Sequence, residues 1–314
     1  MADAPEEEKT PTTDEPRTRA AREFKIIFNP TTTAAANEFC KRYLPMGVAG
    51  LCEEWQTNVK KYAPPGVTIT AWKENKDKNR YNKGDYIHAN HVKGDPFFNG
   101  FICTQGPLPN TIADFWRMCV QEKVTHIVML CEREEQGKTK CALYWPEKVN
   151  EVLTAGAFKI RCAKVSPLVG FKEGEGFTRE LEVTGPGVDK GRNLRHHHWK
   201  SCVAFLQASG TSVVHCSAGV GRTGTFVAIE MALQEICRKM NGSLNLAEMC
   251  RKLRGMRQTA VQTDMQYVYI VVVIATFIKS NNVLDSENLP MYEKLAGDFD
   301  RIVSERGMGT VANE

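Results

Sequence analysis

Ten consecutive residues constrain this chain more than any other feature: His215-Cys216-Ser217-Ala218-Gly219-Val220-Gly221-Arg222-Thr223-Gly224. Ser212-Val213-Val214 leads into them as a short strand, and a helix is expected to follow over about 223–239. A short glycine-containing loop between a strand and a helix can turn all its backbone N–H groups toward one point. Such a concavity holds a tetrahedral anion, and the helix N-terminus adds positive potential. Gly219, Gly221 and Gly224 permit the tight path and the close approach of backbone to ligand. The same field lowers a thiol pKa, so Cys216 is the expected nucleophile, attacking phosphorus in line to form a phosphocysteine. Arg222 offers a planar fork for two phosphoryl oxygens, which a lysine cannot do. The amides of Ser217, Ala218, Gly219, Val220 and Gly221, with Arg222, are the expected cradle for the three equatorial oxygens. Thr223 is placed to donate to the sulfur as it leaves, and His215 to orient the thiolate from behind. The loop is not a Walker A motif, since the lysine before Ser/Thr is missing. A structural cysteine before a glycine-rich turn is the plain alternative, but ten consecutive residues fit the anion loop.

The rest of the chain bounds the setting. Its 314 residues, 42 % hydrophobic and 25 % charged, suit an ordinary globular composition with a sizeable core. A formal charge of +4 is too small to imply nucleic acid and only mildly favours an anionic substrate. Eleven cysteines are dispersed with no CxxC pair, and residues 1–20 have no apolar leader core. Both features point to a reducing, cytoplasmic setting without a disulfide framework. The longest apolar run, Tyr267 to Ile278, is too short to span a bilayer and reads as a buried core helix.

Residues 1–22 are acidic, Thr- and Pro-rich, and read as a disordered tail. A helix is expected over 34–62, strands at 86–89 and 101–104, and a helix over 111–122 capped by Thr111, with Phe115, Trp116 and Val120 inward. Strands follow at 126–130, 158–165 and 178–183, then helices near 246–256, 264–280 and 289–304. The last is amphipathic through Leu289, Tyr292, Leu295, Phe299 and Ile302.

At the Cys-x5-Arg loop the chain resembles the tyrosine-specific protein-tyrosine phosphatase family. Other motifs carry the likeness too: Lys78-Asn79-Arg80-Tyr81, Asp85-Tyr86-Ile87-His88-Ala89, Thr104-Gln105-Gly106-Pro107-Leu108, Asp114-Phe115-Trp116, Lys140 to Pro146, and Gln262-Thr263-Asp264-Met265-Gln266-Tyr267. The resemblance implies an α/β (α+β type) fold, a highly twisted mixed sheet flanked by helices, in one domain over 37–280, with a C-terminal helix and tail over 281–314. It implies phosphotyrosine-containing proteins as partners and no metal or organic cofactor. By the same resemblance Tyr81 flanks the phosphotyrosine ring in a deep slot, Glu135 pre-sets the fork of Arg222, and Gln262 positions the hydrolytic water. Gln266 supports that glutamine loop. The plain alternatives are a core tyrosine, a solvated charge and a polar residue at a helix start. A lipid phosphatase fits less well, because Ser217-Ala218-Gly219-Val220 adds no lysine for an inositol head group.

Two family features are missing. No Trp-Pro-Asp, the general-acid loop, occurs in the chain: Trp145-Pro146 is followed by Glu147 and belongs to another motif. After Trp199, Lys200-Ser201 leads directly into Cys202-Val203-Ala204-Phe205-Leu206, which reads as a truncated helix. Between Pro146 and Cys216 the only aspartate is Asp189, in a Gly-rich turn before the 192–199 strand, so it is not assigned as the acid. The second shortfall follows Tyr81, where only Asn82-Lys83-Gly84 precedes Asp85. Both gaps are abrupt between good matches, the pattern of a skipped exon or an erroneous gene model. They leave two readings: an impaired phosphatase, or a pseudophosphatase that binds phosphotyrosine. Three successive histidines, His196-His197-His198, alternate faces on a strand and do not converge on one metal.

Overall fold

Most of the segments read as short β-runs pair into one mixed, twisted sheet of eight strands. The structure, a computed structural model, describes residues 28–66, 70–74, 78, 87–97, 100–168, 176–188, 191–199, 210–238 and 244–306. Helices α1 (Pro30–Tyr43), α2 (Gly47–Trp55) and α3 (Thr70–Glu74) come first. Strands β1 (Ala89–Val92) and β2 (Phe101–Gln105) precede α4 (Ile112–Gln121) and β3 (His126–Met129). A small hairpin, β4 (Glu134–Glu135) with β5 (Lys138–Thr139), stands apart from the main sheet. Next come β6 (Val152–Ala155), β7 (Phe158–Pro167), β8 (Gly176–Thr184), β9 (Arg192–Trp199) and β10 (Ser212–Cys216). Helices α5 (Gly221–Arg238), α6 (Leu246–Met256), α7 (Asp264–Ser280) and α8 (Leu289–Glu305) follow.

The strand order is β1-β2-β10-β3-β9-β8-β7-β6. The centre, β2, β10, β3 and β9, is parallel, and the outer pairs are antiparallel. Every residue of β2 and β10 is buried, as a parallel centre covered on both faces requires. Helix α5 packs on β2, β10, α1, α6 and α7, while α4 packs on β6 and β7. The Cys-x5-Arg loop therefore leaves the carboxyl end of a central parallel strand, the position where open α/β sheets form their ligand crevices.

Several expectations shift at the level of elements. The helix expected over 34–62 is broken: α1 stops at Tyr43, a 3₁₀ turn spans Leu44–Met46, and a π turn, Gln56–Lys60, ends α2. Pro45 supplies no backbone donor inside that run, and Gly47 takes φ +59°. The strand expected at 86–89 begins only at Ala89. Thr111 does not cap α4; its Oγ1 accepts from the Leu108 amide at 2.9 Å and closes the preceding 3₁₀ turn. Phe115 and Trp116 are buried, and Val120 is half-buried against the core. The expected core helix α7 buries Tyr267, Ile270, Val271, Ile274 and Ile278, and among the described residues no helix is long and apolar enough to cross a membrane. Helix α8 packs on α2 and α7 through buried Leu295 and Phe299.

Candidate active site

The loop between β10 and α5 is held by its carbonyl oxygens. Ser217 O accepts from the Gly106 amide at 2.9 Å, and Ala218 O from Arg257 Nη2 at 3.1 Å. Gly219 O accepts from Arg257 Nε at 2.9 Å. Val220 O accepts from the amides of Gly224 and Val261, each at 3.1 Å. With all four carbonyls tied outward, the peptide planes present their N–H groups to the other side, which is the geometry of an anion nest. One of those donors, the Gly219 amide, lies 3.3 Å from Cys216 Sγ. Gly219 itself takes φ +72°, and a Cβ there would lie 2.1 Å from Thr104 O, so no other residue fits. Arg257, 1 % exposed, is a brace that sequence reasoning did not single out; a buried arginine directly after a helical run carries no motif of its own.

The charges follow from this frame. Burial pushes the Cys216 thiol up, but the Arg222 charge, the Thr223 hydroxyl and amide, and the Gly219 amide outweigh it, so the thiol lies below its ordinary value. The Thr223 hydroxyl is fully buried beside the sulfur. Burial instead raises other cysteines, including Cys40, Cys103 and Cys250, each to about 12.

Arg222 is fixed as a fork. Its Nη1 and Nη2 donate to Glu135 Oε1 and Oε2 at 2.6 and 2.8 Å, and Nη1 also donates to Leu130 O at 2.9 Å. The two side chains are 5 % and 10 % exposed. Glu135 reaches this position from the β4–β5 hairpin, whose turn residues Gln136 and Gly137 have φ +53° and +69°, the mirror-image turn that tight hairpins favour. The Glu132 amide donates to Glu135 Oε1 at 3.0 Å. Burial raises the Glu135 carboxyl, but its bonds to Arg222 and the Glu132 amide win, and its pKa is depressed.

The remaining expected residues fall into three groups. His215 sits behind the loop, 2.7 Å from Tyr144 Oη through Nε2, with Nδ1 3.2 Å from Cys216 O. Gln262 and Gln266 lie beside Gly221: a Cβ on that glycine would be 2.9 Å from Gln266 Nε2 and 3.2 Å from Gln262 Oε1. The capping box of α7 places them, Thr263 Oγ1 accepting from the Gln266 amide and Gln266 Oε1 accepting from the Gln262 and Thr263 amides. Tyr81, Asp189 and residues 200–209, where the acid loop was sought, lie outside the described residues. Among the described residues no group of three His, Cys, Asp or Glu is placed to hold a metal ion.

A parallel-centred mixed sheet that delivers a cysteine into an amide nest facing an anchored arginine defines a protein-tyrosine phosphatase-like α/β domain. Comparison with known families agrees. The family model described as protein-tyrosine phosphatase matches residues 56–204 and 201–276, more than half of the sequence, and the chain belongs to that family. The two matched pieces meet at the segment where the acid loop is missing. The chain is 32 % identical over 247 residues to the receptor-type tyrosine-protein phosphatase eta of Gallus gallus, covering 66 % of this chain and 17 % of that protein. It is 31 % identical over 265 residues to tyrosine-protein phosphatase 69D of Drosophila melanogaster, covering 70 % and 18 %. To the human receptor-type tyrosine-protein phosphatase zeta it is 34 % identical over 227 residues, covering 64 % and 10 %. The chain thus spans less than a fifth of the length of these relatives.

Proposed function

We propose that this chain hydrolyses phosphotyrosine in proteins through a phosphocysteine intermediate, with its first chemical step slowed by the missing general-acid loop. The observation that carries the reading is the loop of residues 217–220 with every carbonyl bonded outward around a cysteine of lowered pKa. Cys216 Sγ attacks phosphorus and the tyrosyl oxygen departs with the bonding pair. The amides of Ser217, Ala218, Gly219, Val220 and Gly221 and the Arg222 fork hold the three equatorial oxygens throughout. Water positioned by Gln262 then displaces the sulfur, which leaves as thiolate beside Thr223, and Tyr81 walls the ring slot. Phosphotyrosine-containing proteins in the cytoplasm are the substrates.

A phenolate leaves poorly without a proton, so absence of the acid costs on the order of 10²–10⁴-fold in kcat. Activated aryl phosphates, whose leaving groups need no proton, are turned over while phosphotyrosyl peptides are turned over poorly. A second reading, a phosphotyrosine-binding module without turnover, is favoured by one observation, the absence of Trp-Pro-Asp from the sequence. Turnover and peptide binding measured on wild type and Cys216→Ser separate the two. The enzyme reading expects wild-type hydrolysis of aryl phosphate that Cys216→Ser abolishes. Equal, near-zero rates with retained peptide binding overturn it in favour of the binding module.

A further inference from the structure

Strand β9 carries His196, His197 and His198 in succession, and alternation sends His196 to the face opposite His197. There Tyr144 Oη stands between two imidazoles, 2.8 Å from Nε2 of His196 and 2.7 Å from Nε2 of His215. Tyr144, His196 and His215 are each 0 % exposed. A phenol has one proton, so Tyr144 donates to one nitrogen and accepts from the other.

The two ends of the chain decide the direction. At one end, Nδ1 of His215 lies 3.2 Å from the carbonyl of Cys216, a group that only accepts, so this nitrogen carries a proton. At the other end, Nδ1 of His196 is buried with no hydrogen-bond partner among the described residues. An orphaned buried N–H is the costlier defect, so the His196 proton sits on Nε2, pointing at Tyr144. Tyr144 in turn donates to Nε2 of His215.

We infer that His196 is a positioning residue of the nucleophile loop: donating through Tyr144, it holds His215 as the neutral tautomer protonated on Nδ1 and bonded to the Cys216 carbonyl. Its relevance to catalysis rests on reading Cys216 as the nucleophile. Making His215 an imidazolium requires Tyr144 to reverse and donate to His196, which then has to move its proton to the partnerless Nδ1. The chain resists that reversal, so Arg222 and the loop amides, not a charged imidazole, stabilise the thiolate.

The surroundings agree. Burial first, then His198, Arg179 of β8, His215 and His197, hold His196 well below the ordinary histidine range, so it is neutral. Burial, with Cys141, Cys119 and Cys131 nearby, keeps Tyr144 a phenol, although Arg179 opposes this. The ring of Trp145 stacks on His196 at 4.9 Å, and Phe115 packs edge-on against His215 at 6.1 Å between centroids. Among the described residues, no carboxylate stands with the leading causes of the His196 and Tyr144 shifts.

The test is nitrogen NMR of histidine-labelled protein, with the pH profile of kcat/KM as a second readout. Wild type should show His215 protonated on Nδ1 only. His196→Leu removes the terminal donor and frees Tyr144 to accept from His215, which should lose its single-tautomer signal and add a limb to the kcat/KM profile. Tyr144→Phe cuts the same chain while keeping the ring, and should reproduce that change if the leucine variant misfolds. His196→Gln keeps an amide donor and should restore wild-type behaviour. A wild-type His215 protonated on Nε2, or variants that leave its tautomer and the kcat/KM profile unchanged, would overturn the inference. Because the tautomer is read without turnover, an inactive protein with the expected His215 signal refutes the proposed activity and leaves this inference standing.

Discussion

Glu135→Gln tests the electrostatic core of the site. The substitution keeps the shape of the side chain but removes its charge and one of the two acceptor oxygens that Arg222 holds at 2.6 and 2.8 Å. Arg222 is 5 % exposed, so water cannot replace the lost partner. A charge-assisted bond is worth ~1.5–3 kcal/mol, and stripping one partner from a buried pair costs ~3–5 kcal/mol, so with one bond retained the expected loss is about 3 kcal/mol. For a domain of this size that corresponds to a Tm lower by roughly 6–12 °C. The pH dependence has a definite sign. Glu135 has a folded-state pKa depressed below its ordinary 4.5, so the pair's stability is fully present above that value. It is lost as pH falls through the folded-state pKa, where wild type comes to resemble the variant. Urea unfolding across the acid range measures this directly. Misplacing the fork by an ångström also costs on the order of 10²-fold in kcat/KM. Equal stability of the two proteins at neutral pH, or a gap that persists undiminished in strong acid, refutes the reasoning.

Other perturbations read the frame of the loop. Gly219→Ala puts a Cβ 2.1 Å from Thr104 O at φ +72°, so vanadate, a phosphate analogue, should no longer raise the Tm of the variant. Arg257→Met leaves Ala218 O, Gly219 O and Asn90 Oδ1 without their donor, and should lower stability by about 3 kcal/mol while weakening vanadate binding in calorimetry. Because the Cys216 thiol lies below its ordinary value of 9.0, iodoacetate should alkylate it at a pH where the buried cysteines raised to about 12 stay unreactive. Arg222→Lys should move that alkylation profile to higher pH, because a point charge without the fork sits less closely on the sulfur.

The sequence by itself determined the strand–loop–helix at residues 212–238, the buried core helix α7 and the family, because these are local: glycine spacing, apolar runs and motif order are written in consecutive residues. Element boundaries were less legible where one residue decides them, as Pro45 does in the first helical region and Thr111 does before α4. Strand β6 is not legible in the sequence because its four residues, at the sheet edge, include two exposed ones and give neither a clear alternation nor a long apolar run. What only the tertiary structure decided are the contacts between distant segments. Arg257 meets the carbonyls of Ala218 and Gly219 across 39 and 38 positions in the chain, and Glu135 meets Arg222 across 87. Tyr144 joins His196 to His215 across 52 and 71 positions. No periodicity encodes these meetings. They arise because four parallel strands bring their carboxyl ends together, and a loop whose amides must face an anion needs partners for its carbonyls from whatever the fold places behind it.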